Sequence, residues 1–245
     1  MAKILIWDIE TSPNVGYFWQ SGYKLNIGPE NIIHERQVIC IAYKWLDKKE
    51  VHLINWDPKK HKDKDKKMLK EFSKVYAEAD MSVAHNGDNF DVKWIKGRLL
   101  YHSLPPLSDC NQCDTLKIAR ASFRLNSNKL DYIAKYIGIE GKTPMNFGDW
   151  KGVMAGKKAS LDKMGKYCKQ DVLVLEEVYK KLQPYAKGAG IAQGYNQDKN
   201  ICPSCGEDET RKHGFYYTRS GKFQKYRCMS CFHNWRCSQQ VKKNG

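Results

Sequence analysis

An α/β fold followed by a small cysteine-bearing module is what this 245-residue chain predicts. Three observations carry that prediction. Short β-rich runs alternate with segments whose apolar residues recur every three or four positions, the two periods that separate strands from helices. The first apolar run, Ile4-Leu5-Ile6-Trp7, leads into two carboxylates one residue apart, Asp8 and Glu10. Four of the nine cysteines stand in two Cys-x-x-Cys pairs near the C-terminus.

Side chains on a strand alternate faces, so Asp8 and Glu10 point the same way. Like charges that close repel unless one takes a proton or a cation lies between them, and the pair therefore asks for a metal. Thr11-Ser12-Pro13-Asn14 closes the strand as a turn. After an aromatic segment from Val15 to Ile33 that holds Tyr17, Phe18, Trp19 and Tyr23, the runs Val38–Trp45 and Glu50–Trp56 continue an antiparallel meander around Asp47-Lys48-Lys49. The aromatic segment either packs on the sheet or stacks on unpaired bases. The charge-dense run Lys59 to Lys67 reads as a solvated loop with a possible phosphate contact. It enters a helix marked by Met68, Leu69, Phe72, Val75 and Tyr76.

Met81–His85 reads as a short strand, broken at Asn86-Gly87. A helix then starts with Phe90, Trp94 and Ile95 as its apolar stripe, which puts Asp91 in the first turn, where the helix dipole favours the ionised form. Asp88, three residues earlier, is the competing carboxylate. Cys110 and Cys113 read as a loop. Helices follow from Asp114 and from Leu130, the latter closed by Gly138. Glu140 to Lys158, rich in glycine, reads as a long loop. The last helix starts near Ser160 as N-cap and stops before Pro184, with Tyr167 and Asp171 one turn apart on one face. Val174 and Val178 continue that face, so Asp171 enters a core, which is costly without a cation.

The net charge of +15, from 42 Lys+Arg against 27 Asp+Glu, points to a polyanionic partner held through counterion release. No 18-residue apolar run and no signal-peptide core are present, so a cytoplasmic protein without membrane contact is expected.

The motifs Asp8-Ile9-Glu10-Thr11, His85-Asn86-Gly87-Asp88-Asn89-Phe90-Asp91 and Tyr167-Cys168-Lys169-Gln170-Asp171 together resemble the DEDD exonucleases, and their DEDDy branch in particular. Asp114-Thr115-Leu116 and the following helix are similar to the family's intervening region. The resemblance covers about residues 1 to 185. It implies an RNase H-like mixed sheet with helices on both faces, and hydrolysis of nucleic acid from a 3′ end to nucleoside monophosphates, DNA ahead of RNA. It makes Asp8, Glu10, Asp91 and Asp171 ligands of two Mg²⁺ or Mn²⁺ ions and gives Tyr167 the task of orienting the attacking water. A phenol with a pKa near 10 suits orientation better than proton abstraction. Thr11, Asn86 and Phe90 are candidate substrate contacts. The whole arrangement resembles stand-alone exonucleases of bacteriophages.

Beyond Tyr185 the sequence changes character. Residues 186–199 read as a linker, and residues 200–245 as a zinc ribbon. Cys202, Cys205, Cys228 and Cys231 form a Cys₄ site for one structural Zn²⁺, and Cys237 stands outside it. Strands Phe215–Thr218 and Lys222–Arg227 pair around Ser220-Gly221. Tyr217, Arg219, Lys222, Lys225 and Arg227 are candidate contacts to a strand, probed against the alternative that the ribbon docks a protein partner. An RNase H-like endonuclease or transposase-type enzyme and a non-catalytic nucleic-acid-binding protein are the other classes compatible with these residues.

Overall fold

The computed structural model describes residues 2–20, 22, 27–59, 64–139, 145–186, 201–219 and 221–241. Most of the expected linker, from Lys187 to Asn200, lies outside them, as do Tyr23, Lys60–Asp63, Glu140–Pro144 and Ser220.

Strand β1 (Ile4–Thr11) is central in a five-stranded sheet. It pairs antiparallel with β4 (Val38–Trp45), which pairs antiparallel with β5 (His52–Asn55), as the meander required. On the other side β1 runs parallel to β6 (Met81–Ala84), and β6 parallel to β7 (Asn111–Asp114). The order is β5-β4-β1-β6-β7, a mixed sheet of the RNase H-like type. Between β1 and β4, β2 (Val15–Gly16) and β3 (Ile32–His34) form a two-stranded hairpin.

Helix α1 (Lys66–Ala77) covers one face. Trp7, wholly buried, packs against Phe72 at 4.9 Å and Tyr76 at 5.7 Å between ring centroids. Removing such a ring from a packed core costs about 3–5 kcal/mol, so Trp7 fixes the register of the strand that carries Asp8. Helix α2 (Asp91–Tyr101) packs beside α1. The opposite face takes α6 (Lys158–Leu182), which touches β4, β1 and β5, while α3 (Thr115–Ser122), α4 (Leu130–Tyr136) and α5 (Phe147–Met154) pack on α6. Lys44, opposite Ile6 in the β1–β4 register, forms a buried ion pair with Glu176 of α6. Even-numbered β1 residues therefore face α6, and odd-numbered ones face α1.

Four expectations need correction. Cys113 lies in strand β7 with Cys110 just before it, because parallel pairing with β6 supplies the hydrogen bonds that a loop reading leaves out. The glycine-rich stretch before residue 158 contains α5, nucleated by a capping box in which Asn146 accepts from Asp149 N–H and Asp149 accepts from Asn146 N–H. The last helix begins at Lys158 with Lys157 as N-cap, and Ser160 sits inside its first turn. Asp65, in the run taken as solvated, is fully buried: it accepts two hydrogen bonds from Arg98 at 2.7 and 3.0 Å, contacts His102 Nε2 at 2.7 Å, and accepts from Val38 N–H at 3.2 Å. It ties the start of β4 to α2.

A separate three-stranded antiparallel sheet follows, in the order β10-β9-β8: β8 (Thr210–Thr218), β9 (Gly221–Cys228) and β10 (Asn234–Gln240). The β8–β9 hairpin turns at Thr218↔Gly221, as its sequence indicated. Cys237 falls on β10, a strand that the sequence did not reveal.

Candidate metal centres

The acidic centre is built where β1 outruns its parallel neighbour. Strand β6 pairs with β1 only as far as Ile6↔Val83, and beyond that point the Ile9 N–H donates to Asp91 Oδ1 at 3.2 Å. Asp8 and Glu10 flank that residue on the α6 face. Asp8, Glu10 and Asp171 each offer a carboxylate oxygen, and these atoms lie within 4.8 Å of one another. Asp171 is buried while Asp8 and Glu10 are half-buried, so three negative charges converge and the Asp171 charge is the least screened by water. An all-oxygen donor set of this kind matches a hard divalent cation, which offsets the repulsion.

Asp91 is not among the three, but it is buried and bonded to the strand between Asp8 and Glu10. Burial pushes its carboxyl up to about 7, against the pull of donors from its own backbone and Ile9, and repulsion from Asp114 adds to the rise, so burial outweighs the helix-dipole preference for the ionised form expected of a first-turn aspartate. Asp88 instead pairs with Lys117. Tyr167 lies one turn before Asp171 on α6; burial, then the charges of Asp171, Glu10 and Asp8, raise its phenol well above the ordinary value, and it is hydrogen-bonded to Asp171. The hydroxyl therefore stays a donor at any physiological pH. Behind the trio, Cys168 of α6 meets Cys40 of β4, and its thiol donates to the Asp8 carbonyl at 3.6 Å.

The loop before α2 is held by residues that the motif reading did not single out. Asp114, the N-cap of α3, accepts from Leu116 N–H at 2.9 Å and from Asn86 N–H at 2.8 Å. Asn86 has φ +66°, a conformation that asparagine tolerates better than most residues. A Cβ on Gly87 would meet the Ala84 Cβ at 2.5 Å, so the turn takes glycine only. His85 bridges Thr115 Oγ1 and the Asn128 carbonyl, both at 2.9 Å; a carbonyl only accepts, so Nε2 carries the hydrogen. Of the candidate substrate contacts, Thr11 stands at a bulge just past Glu10, and Asn86 and Phe90 stand on this loop. Tyr217, Arg219, Lys222, Lys225 and Arg227 belong to the β8–β9 hairpin.

The second centre is Cys202, Cys205, Cys228 and Cys231, whose sulfurs lie within 4.8 Å of one another. Cys202 and Cys231 are 3.6 Å apart, as are Cys205 and Cys228. Four thiolates at about 2.3 Å from one Zn²⁺ form a tetrahedron with edges of about 3.8 Å, so the spacing fits the ion. Each pair is followed by a left-handed residue, Gly206 at φ +81° and Phe232 at φ +60°, which folds the backbone back over the sulfurs. Ser204 N–H then donates to Cys202 Sγ and Cys231 N–H to Cys228 Sγ. Although burial opposes it, the Cys228 thiol is lowered to about 7, chiefly by the N–H groups of Cys231 and Ser230.

Fold and centre define a protein of the RNase H superfamily. That family matches residues 32–183, more than half of the chain, and the chain belongs to it. The matched span contains Asp91, Tyr167 and Asp171 and begins after Asp8 and Glu10. Among solved structures the chain is similar to the family B DNA polymerase from the hyperthermophilic archaeon Pyrobaculum calidifontis. The TM-score is 0.53 at 14% identity, over 92% of this chain and 32% of the polymerase. The chain thus spans about a third of that polymerase's length, and at this identity the likeness is one of fold. No curated protein matches the chain. No helix among the described residues is long and apolar enough to cross a membrane.

Proposed function

We propose that this chain is a divalent-metal-dependent 3′-5′ exonuclease of the DEDDy kind, acting on DNA ahead of RNA and releasing nucleoside monophosphates. The observation that carries the reading is the convergence of Asp8, Glu10 and Asp171 with Tyr167 one turn away, at the open end of an RNase H-like sheet. In this reading residues 1–185 are catalytic, 186–199 link, and 200–245 form a zinc ribbon on one Zn²⁺.

Asp8, Glu10, Asp91 and Asp171 would hold two Mg²⁺ or Mn²⁺ ions. Such ions supply an activated water and stabilise the leaving 3′ oxygen. The chain's own residues do the rest. Trp7 and its aromatic partners hold the β1 carboxylates in register. The Ile9 N–H fixes the Asp91 carboxylate beside them. Tyr167, kept protonated with its hydrogen on Asp171, would orient the attacking water through its hydroxyl oxygen, which accepts from the water, instead of taking its proton.

End-labelled single strands of DNA and RNA, incubated with Mg²⁺ or Mn²⁺, test the proposal together with a covalently closed single-stranded circle. A 3′ label should appear in mononucleotides from the first time point, and the circle should survive. Asp8→Asn and Asp171→Asn should each cut turnover by roughly a thousandfold with a native circular-dichroism spectrum, since each removes a metal ligand. Nicking of the circle would move the assignment to an endonuclease, and unchanged turnover in either variant would remove the catalytic assignment.

A further inference from the structure

The segment between β1 and β4 carries a feature that the acidic centre does not use. Tyr17, Phe18 and Trp19 are consecutive and 79, 57 and 105% exposed. They lie directly after β2, where the pairing with β3 is closed backbone to backbone: Tyr17 N–H donates to the Asn31 carbonyl at 3.0 Å, and a Cβ on Gly16 would sit 2.5 Å from that oxygen. Leaving such rings in water costs free energy, and three in succession, the first anchored through its backbone to Asn31, form an apolar surface that calls for an occupant.

A line of contacts joins this hairpin to the acidic trio. Arg36 N–H donates to Asn14 Oδ1 at 2.8 Å at the hairpin's base, and the Arg36 guanidinium lies 5.1 Å from the centroid of the Trp94 ring. Trp94 meets Phe90 edge to face at 6.3 Å, and Phe90 immediately precedes Asp91, bonded to β1 between Asp8 and Glu10. Among the described residues Arg36 Nε makes no hydrogen bond and no carboxylate pairs with the guanidinium, which rests on the Trp94 ring. From Ser12 to Ile33 the sequence contains one carboxylate, Glu30, in a chain of net charge +15.

We infer that Tyr17, Phe18 and Trp19 are a stacking platform for the unpaired bases of a single-stranded nucleic acid, with Arg36 taking a backbone phosphate between platform and trio. The inference rests on the nuclease reading for the strand's direction, but binding to the platform does not require hydrolysis. Bases in a duplex are stacked on each other, so only an unpaired strand offers faces to open rings, and stacking tolerates any sequence. The platform thus selects single strands or frayed ends by accessibility.

Fluorescence anisotropy with a fluorescein-labelled oligo(dT) and the full-length chain, without added divalent ion, tests this. Trp19→Ala should raise Kd about tenfold, with no change in melting temperature and no change in the slope of log K against log salt, since no charge is lost. Trp19→Phe should bind near the wild-type level, whereas Trp19→Leu, apolar but without a π face, should bind as weakly as Trp19→Ala. Arg36→Gln should lower the salt slope by roughly 0.7, the contribution of one phosphate on a single strand. Equal Kd for the three Trp19 variants and wild type would overturn the platform and leave the patch to a protein partner. A chain that hydrolyses no substrate yet follows this order of affinities keeps the platform and loses the exonuclease reading.

Discussion

The acidic trio and the cysteine quartet are both clusters of ligands within 4.8 Å, yet they are assembled in opposite ways. The trio joins the first strand of the sheet to its last long helix, and every member is placed by packing that has nothing to do with metal: Trp7 on α1, the Lys44–Glu176 pair, and Cys168 against Cys40. The quartet runs from Cys202 to Cys231, 29 positions apart, and rests on two short turns. Among the described residues of the module Phe223 is the single buried apolar side chain other than cysteine, whereas the main core runs from Ile4 to Ala186. A small three-stranded sheet cannot bury enough apolar surface to offset its chain entropy, and in the proposed reading a Zn²⁺ on the four thiols would supply the difference. One centre is a product of its fold; the other, once it held zinc, would be the means by which its module folds.

The largest expected effect breaks the two apart. Cys202→Ser with Cys205→Ser, or a chelator strong enough to strip zinc, should remove on the order of 10 kcal/mol of binding free energy from residues 201–241. Hydrogen exchange should then show loss of protection across β8, β9 and β10, while β1, β4 and α6 keep theirs. Loss of protection in β1 at the same chelator concentration would show that the acidic half also depends on zinc.

The same contrast explains what could be read from the sequence. Asp8, Glu10, Asp171, Tyr167 and the four cysteines announce themselves through short spacings, two, four and three residues, that translate directly into a shared strand face, a shared helix face and a knuckle. The meander and the long helices followed from period. The Asp65–Arg98–His102 cluster did not, because its partners are brought together from a charged loop and a helix, and Asp65 sits among lysines that suggest solvent. Helix α5 was hidden by glycines, although its capping box, Asn146 to Asp149, was present in the sequence and would have revealed it. Strand β7 owes its existence to the neighbouring β6, and tertiary pairing of that kind leaves little local trace. Asp114 reads as a helix cap; that the same oxygen also holds Asn86 is a long-range fact.

Where the cysteine module should answer to zinc, the core should answer to pH. Burial alone would raise the Asp65 carboxyl, but hydrogen bonds from Arg98 and His102, the Arg98 charge and the Val38 N–H outweigh it and hold the carboxyl below 3.8. A carboxylate with a depressed folded-state pKa contributes stability above its unfolded value, near 3.9, and that contribution disappears as pH falls through the folded value. Asp65→Asn should therefore destabilise the chain by about 3 kcal/mol at pH 7, since it leaves the buried Arg98 charge unpaired. Urea titrations at pH 7, 4 and 3 should show the gap between wild type and variant closing as the wild type takes up its proton. A gap that stays constant over that range would show that Asp65 acts through shape and not through charge.

The smallest effect asks whether the two centres work on the same strand. In the β8–β9 hairpin Lys222 lies 3.7 Å from the Phe215 ring centroid and 5.9 Å from that of Tyr217, so a cation and two rings share one face of the hairpin, while Arg227, of opposite parity on β9, lies 5.2 Å from the ring centroid of Phe232, beyond the hairpin. If that surface grips substrate, a chain ending after Ala186 should keep kcat and show KM raised several-fold, because contacts equal in ground and transition states act on binding alone. The slope of log affinity against log salt should also become shallower by about 0.7 for each single-strand phosphate no longer neutralised. The cysteine variant with intact length separates grip from mere charge: it keeps every lysine and arginine but loses the folded hairpin. If it binds like the truncated chain, the aromatic and basic residues need the zinc-ordered strands to meet the substrate. If it binds like wild type, net charge suffices. Identical affinity and salt slope in all three proteins would show that the module does not touch the substrate, leaving docking to a protein partner as its role.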